Sequence, residues 1–295
     1  MQEMCFVNCK QLITPLTWLG LSILAFADTK ESEDSKSALP VGTSPVQSPA
    51  RPYDLDIVAP VQVAGSDAAA KTFQSEVLPG MLETIAKQLP ELSGKPVKNL
   101  AAISLDPAKL VLSADASARV YFLGENSPHK NTLGISTTGG GPLSPDAALI
   151  FPNLSSPTAQ SDNQSLVRTT NQPLLVGDFV NLGAFKAGTA LDFFLIASGA
   201  TGGESFYSTN LSLNKDGIIH AVSLAPNGSA YLIIGFEETK GGGDMDYNEA
   251  LFAVELTQGA NTPHIASLSA PEPSLATGAL LTSLALIGFS RRRRS

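Results

Sequence analysis

Cysteine is confined to Cys5 and Cys9, so the remaining 286 residues carry none. That excludes a disulfide framework, a thiol nucleophile and a cysteine metal site from the body of the chain. Trp18 is the only tryptophan, and aromatic residues make up 6% of the sequence, too few to suggest a row of sugar-stacking platforms. The three histidines, His129, His220 and His264, are far apart in sequence. Neither Gly-x-Ser-x-Gly nor His-Glu-x-x-His occurs, which removes the usual local signatures of esterases and metalloproteases. Basic residues are also scarce. Between Asp28 and Pro273, 14 Lys and Arg stand against 26 Asp and Glu, a net charge of −12. Such a surface repels nucleic acid and anionic lipid and attracts cations.

Both ends carry short apolar runs. Lys10 precedes an apolar stretch from Leu12 to Phe26 that ends in Ala25-Phe26-Ala27, a small-x-small triplet, with Asp28 directly after it. This layout reads as a secretory signal peptide over residues 1–27. A permanent anchor needs about 20 apolar residues, and this run is interrupted by Thr14, Pro15 and Thr17. Near the other end, Pro271-Glu272-Pro273 is followed by an uncharged stretch, Ser274 to Ser290, and then by Arg291, Arg292, Arg293 and Arg294. Four arginines are costly to move across a bilayer, so this order reads as a short span with its basic end held on the cytoplasmic side.

That tail resembles the PEP-CTERM sorting signal of Gram-negative bacteria, over residues 271–295 only. The resemblance implies processing near Pro271-Glu272-Pro273 by an exosortase-type membrane protease. It also implies release to the cell envelope, the outer surface or an exopolysaccharide matrix.

Between the ends, residues 28–66 are read as a linker, because Thr29 to Pro52 is rich in Ser, Pro and charged residues. Asp54 to Val63 has the character of a short extended segment. Ala68 to Leu92 looks helical, with a break expected at Pro79-Gly80 and with Met81, Leu82, Ile85 and Leu89 at helical spacing. A helical preface is therefore placed at 67–99, a β-rich domain at 100–257 and a second linker at 258–270. Expected strands are Leu110–Leu112, Ala118–Leu123, Ala147–Phe151, Pro173–Val176, Asp178–Leu182, Leu191–Ala197, Gly217–Leu224, Ala230–Phe236 and Ala250–Leu256. Many short strands between turn residues indicate a mainly β fold, an antiparallel β-sandwich or jelly-roll-like domain. In the last strand, Phe252, Val254 and Leu256 fall on one face, and Leu251, Ala253 and Glu255 on the other.

The densest polar cluster joins the last two of these strands. Glu237, Glu238, Asp244, Asp246, Asn248 and Glu249 place five carboxylates and one amide within thirteen residues, around Gly241-Gly242-Gly243. Oxygen ligands in this density suit calcium, which takes about 6–8 of them. Asp, Asn and Gly are also ordinary turn residues, so a solvated acidic turn is the alternative reading. An EF-hand is excluded. Asp244-x-Asp246-x-Asn248 and Glu255 fall on its spacing, but Glu249 stands where the loop needs glycine, and the flanks read as strands. Asn214-Lys215-Asp216-Gly217 is a second polar turn, followed by His220. A lone histidine is usually structural, and His220 meets the acidic loop only if both turns lie at one end of the domain.

A further resemblance runs through this region. Leu191-Asp192-Phe193-Phe194, Tyr207-Ser208, Leu213-Asn214-Lys215-Asp216-Gly217, His220, Gly235-Phe236-Glu237-Glu238 and Gly242-Gly243-Asp244-Met245-Asp246-Tyr247-Asn248 resemble domain-of-unknown-function family 4114. Phe122-Leu123-Gly124-Glu125 and Asn131-Thr132-Leu133-Gly134 extend the likeness, so that it reaches from about Leu100 to Thr257. Glu238 and Glu249 depart from the family pattern, where Asp is commoner. The resemblance implies an extracellular β-domain of bacterial surface proteins and no particular activity.

The sequence thus points to an exported surface or matrix protein with a calcium-stabilised β-domain in a structural or binding role, not an enzyme. The competing reading is a secreted glycan-processing hydrolase working through a carboxylate pair about 5–10 Å apart. Expected partners are the processing protease, extracellular polysaccharide and, before processing, the membrane.

Overall fold

The computed structural model describes residues 48–88, 110–157, 166–224, 231–258 and 262–263. The segments read as signal peptide and sorting tail, with the first part of the linker and the end of the helical preface, lie outside the described residues. Among the described residues, no helix is long and apolar enough to cross a membrane.

Two antiparallel sheets make the body of the fold. The larger runs in the order β4 (Phe179–Phe185), β1 (Ala116–Gly124), β9 (Ala250–Gln258), β8 (Tyr231–Phe236), β7 (Ala221–Leu224), with β10 (Thr262–Pro263) paired to β9. The smaller runs β3 (Ala148–Phe151), β2 (Thr132–Ser136), β5 (Asp192–Ile196), β6 (Phe206–Ser208). Their facing surfaces form one core. Val120, Phe122, Ile234, Phe252 and Val254 of the larger sheet meet Leu133, Ile135, Phe151, Phe193 and Leu195 of the smaller. The ring centres of Phe193 and Phe252 are 5.3 Å apart across the gap, and those of Phe122 and Phe151 are 6.1 Å apart. This is a mainly β sandwich with a short helical preface.

The strands are apolar on both sides because both outer faces are also covered. Tyr121, Leu123, Phe179, Val222, Ile233, Leu251 and Ala253 point away from the inter-sheet core into a second cluster. The helical preface supplies its lid: α1 (Ala68–Thr72), a π-helical turn (Phe73–Val77) and α2 (Leu78–Gln88) follow one another without a gap. The Asp67 carboxylate caps the start, accepting the Ala70 N–H at 2.7 Å. Ala70, Phe73, Leu78, Met81 and Ile85 face the sheet, and Phe73 stacks on Tyr121 at 3.7 Å.

The expected break at Pro79-Gly80 does not occur. Leu78 N–H reaches back five residues to the Phe73 carbonyl, and the wider π turn accommodates Pro79, which has no N–H to give, without ending the helix. Leu82, read as part of the apolar stripe, is 40% exposed.

Residues 48–66 fall within the span assigned to the linker, and the short extended segment expected over Asp54 to Val63 lies against both sheets. Tyr53, Leu55 and Ile57 cover Leu149, Phe194 and Ile196 on the outer face of the smaller sheet. Ile57 pairs with Leu149 on edge strand β3, and Gln62 pairs with Phe179 on edge strand β4. One extended segment therefore seals both edges on the same side of the sandwich, where unpaired backbone groups would otherwise be left.

Candidate metal centre

The pairing of Phe236 with Ala250 closes the β8–β9 ladder and leaves residues 237–249 as the connecting loop. The loop folds on its own backbone: Gly242 N–H donates to the Thr239 carbonyl and Met245 N–H to the Gly242 carbonyl, both at 2.9 Å. The Glu237 carboxylate organises the interior, accepting the Thr239 N–H at 2.9 Å and the Met245 N–H at 3.3 Å. Gly243 has a φ of +47°, and a methyl group placed on it would overlap the Glu237 carboxylate, so any other residue would strain the backbone and displace that carboxylate. Met245 and Tyr247 also take left-handed conformations, with φ of 60° and 56°. Such strain, about 1–3 kcal/mol per residue, persists only where the surroundings impose it. The Tyr247 ring supplies part of that restraint. It is buried in the cluster under the helix, and its hydroxyl donates to the Ile219 carbonyl at 3.1 Å.

Four of the six residues singled out from the sequence are brought together. Glu237, Asp244, Asp246 and Glu249 each present a carboxylate oxygen, and all four oxygens lie within 4.8 Å of one another. Asp244 is exposed and the other three are buried. Asn248 sits at the margin: its side-chain amide donates to Asp246 Oδ2, while its Oδ1 is buried without a hydrogen-bond partner. Glu238 is engaged elsewhere. Its Oε1 accepts from Ser127 Oγ at 2.8 Å, and it is not one of the four converging carboxylates. Glu255, on the EF-hand spacing, lies in β9 and accepts from the hydroxyls of Tyr121 and Tyr231.

The electrostatics of this cluster are unbalanced. Among the described residues, no Lys or Arg forms an ion pair with any of its five carboxylates. Burial, reinforced by Glu237, Glu238 and Asp246, pushes the Glu249 carboxyl up to about 9. Burial, with Glu237 and Asp244 adding, raises Glu238 to about 7. Burial and the charge of Asp244 raise Asp246 to about 6. Three buried oxygens are also orphaned: Glu238 Oε2, Asn248 Oδ1 and Glu249 Oε2, in residues 6%, 1% and 8% exposed. Buried polar atoms normally find a partner, and leaving one unpaired costs about 1–3 kcal/mol. Concentrated negative charge, oxygen-only donors and unpaired lone pairs together describe a place that a hard cation would complete.

His220 lies beside the loop but does not belong to the donor set. It is fully buried, its Nδ1 faces the Glu237 carbonyl at 2.9 Å, and its Nε2 faces Asp216 Oδ2 at 3.0 Å. Both ring nitrogens are therefore occupied by these two contacts, and neither faces the converging carboxylates. The ring also stacks on Tyr207 at 3.9 Å. Although burial works the other way, hydrogen bonds from the Gly241 N–H, from His220 and from the Ile218 N–H hold Asp216 at about 2. Neither the contact of Ser127 with Glu238 nor the link from Asp216 to Gly241 was visible in the sequence, because each joins residues of different turns. The two polar turns do lie at one end of the domain, so that His220, singled out with the turn before it, meets the acidic loop.

No curated protein and no solved structure matches the chain. The resemblance drawn from the sequence began near Leu100, whereas residues 185–257, which hold β5 to β8, nearly all of β9 and the whole acidic loop, match the family described as Domain of unknown function (DUF4114).

Proposed function

We propose that the Glu237–Glu249 loop binds a divalent cation, with calcium as its natural occupant. On this reading the domain around it is a non-catalytic structural or binding module, exported to a bacterial cell surface or exopolysaccharide matrix. The observation that carries the cation reading is the convergence of Glu237, Asp244, Asp246 and Glu249 within 4.8 Å without a basic partner. Calcium suits an all-oxygen donor set held on a loop of this kind, since it accepts about 6–8 oxygens in adaptable geometry. Magnesium demands a stricter octahedron and retains its waters. Asn248 Oδ1 and the second oxygens of the carboxylates would supply further ligands.

The non-catalytic part is supported by the tightness of the cluster. A glycosidase uses two carboxyls on either side of the scissile bond, about 5–10 Å apart, whereas here four carboxylates converge on one point. The export part rests on the signal-like residues 1–27 and on Pro271-Glu272-Pro273 with Arg291 to Arg294. Exosortase-type processing and contact with extracellular polysaccharide belong to the same proposal.

The test is thermal unfolding of the full chain in chelator and in calcium. Ligand present at a hundredfold excess over its dissociation constant, and bound to the native state alone, adds about 2.7 kcal/mol. A calcium-dependent rise in Tm that Asp246→Asn and Glu237→Gln abolish is the expected outcome. An unchanged Tm at millimolar calcium would leave the loop an ordinary acidic turn.

A further inference from the structure

The acidic loop is gripped from outside by a second turn, 21 residues away in sequence, that contributes no oxygen to the converging cluster. Asp216 lies in the polar turn Asn214-Lys215-Asp216-Gly217, and its side chain is 9% exposed. Its Oδ2 accepts twice, from His220 Nε2 at 3.0 Å and from the Gly241 N–H at 2.9 Å, while Oδ1 accepts the Ile218 N–H at 3.2 Å. His220 then holds Glu237 from two sides. Its Nδ1 meets the Glu237 carbonyl, and its own carbonyl accepts the Glu237 N–H, both at 2.9 Å. The turn carrying Asp216 is itself braced by buried Asn214, whose side chain bonds the Ser208 N–H at 2.7 Å and the Ile218 carbonyl at 2.9 Å.

We propose that Asp216 and His220 are positioning residues for the cation site. They fix the backbone at Glu237 and at Gly241, so that the four carboxylates are gathered before the cation arrives. This rests on the cation reading of the loop and adds to it the device that sets the site's affinity. Like charges held within 4.8 Å repel one another, so a loop free to relax would spread its carboxylates and have to regather them on binding. Two fixed points on the backbone remove that freedom. Preorganisation of this kind raises affinity by cutting the ordering cost of the bound state.

The experiment measures calcium binding by calorimetry and, with terbium as a luminescent substitute, counts the waters left on the bound ion. It uses the full chain, unaltered and as Asp216→Asn, Asp216→Ala and His220→Gln. Asparagine has one accepting oxygen, so it cannot serve His220, Gly241 and Ile218 together. Expected are a tenfold or greater loss of calcium affinity in Asp216→Ala, a smaller loss in Asp216→Asn and His220→Gln, and at least one additional water on bound terbium. Ile135→Val, in the inter-sheet core, weakens the fold without touching the loop and should leave affinity and hydration unchanged.

Hydrogen exchange of the unaltered chain supplies a readout that no variant's folding can obscure. The Gly241 amide should be protected in chelator, before any cation is added. Wild-type affinity and hydration in folded variants, or a Gly241 amide that becomes protected only with calcium, would overturn the positioning role while leaving the cation site in place. Failure of the unaltered chain to bind calcium or terbium would remove both, and that outcome is read without reference to any variant.

Discussion

Position 243 favours glycine. Its φ of +47° costs an L-residue about 1–2 kcal/mol, and an added methyl would collide with the Glu237 carboxylate. Gly243→Ala should therefore leave the chelated fold within about 2 kcal/mol of the parent. It should also weaken calcium binding at least tenfold, as read by calorimetry, because the carboxylate it displaces is one of the four that converge. Protons compete for the same cluster. Glu249, Glu238 and Asp246 are raised to about 9, 7 and 6, above the roughly 4 of an unfolded carboxyl. The metal-free native state therefore holds more protons than the unfolded chain. The stability these groups contribute is full below about pH 4 and is lost as pH rises through 6 to 9. Asp216, held at about 2, acts in the opposite sense and withdraws stability only as the pH falls below about 4. In chelator the Tm should fall from about pH 5 to pH 9, and saturating calcium should flatten that fall by neutralising the charge the protons had neutralised. Identical pH profiles in calcium and chelator would count against a cation in this loop. At this scale the sequence revealed the acids themselves, because oxygen ligands crowded around three glycines stand out in a list of residues. It did not reveal that Glu238 is held by Ser127 outside the converging four, or that Asp216 reaches Gly241. Those contacts depend on how separate turns meet at one end of the sandwich.

Strands with residues of both faces in apolar clusters were the legible elements. β1, β8 and β9 run through Tyr121-Phe122, Ile233-Ile234 and Phe252-Ala253, and their bounds match the expectation to within two residues. β2 was missed because Gly134 interrupts its apolar pattern, yet that glycine is what the fold needs. A methyl there would overlap the Phe194 ring of the neighbouring strand β5. Gly134→Ala should cost about 1–3 kcal/mol, the range for overpacking a filled core, measurable by urea unfolding. Leu110–Leu112 and Pro173–Val176 were expected as strands and are not. The first makes a single bridge, Val111 to Ala190, and the second begins with a proline that has no N–H to give to a ladder. His220 O and Glu237 N–H continue the β7–β8 pairing one step, but the left-handed Gly217 and the turn around it delay β7 until Ala221. The helical preface packs far more tightly than its short apolar stripe suggested, since Phe73 lies fully buried and stacked on Tyr121. Phe73→Ala should destabilise the domain by about 3–5 kcal/mol. That loss is read by urea unfolding in chelator, where bound calcium contributes nothing to the difference.

At the scale of the whole molecule, the span that matches the family and the span that can fold are different. Residues 185–257 bring β5 to β9 but neither the β1 that lies between β4 and β9 nor the β2 that lies between β3 and β5. Cut out alone, that stretch would leave β9 and β5 as open edges, with Phe252 and Phe193 lacking the strands that enclose them. A fragment starting at Leu110 would restore every strand yet lose residues 48–88. It would uncover Tyr121, Phe179, Val222 and Ile233 on one outer face, and Leu149, Phe194 and Ile196 on the other. Two exposed apolar faces on a small sandwich favour association over a stable monomer. The prediction compares three fragments by calorimetry and light scattering. Residues 48–263 should unfold in one cooperative transition as a monomer, 110–263 should aggregate, and 185–257 should show no transition at all. Calcium should raise the Tm of the first fragment only, because the carboxylates gather on a loop whose flanking Tyr247 is seated against the cluster beneath Phe73. A monomeric, cooperatively folding 110–263 fragment would mean that the N-terminal segment merely decorates the sandwich and does not complete it.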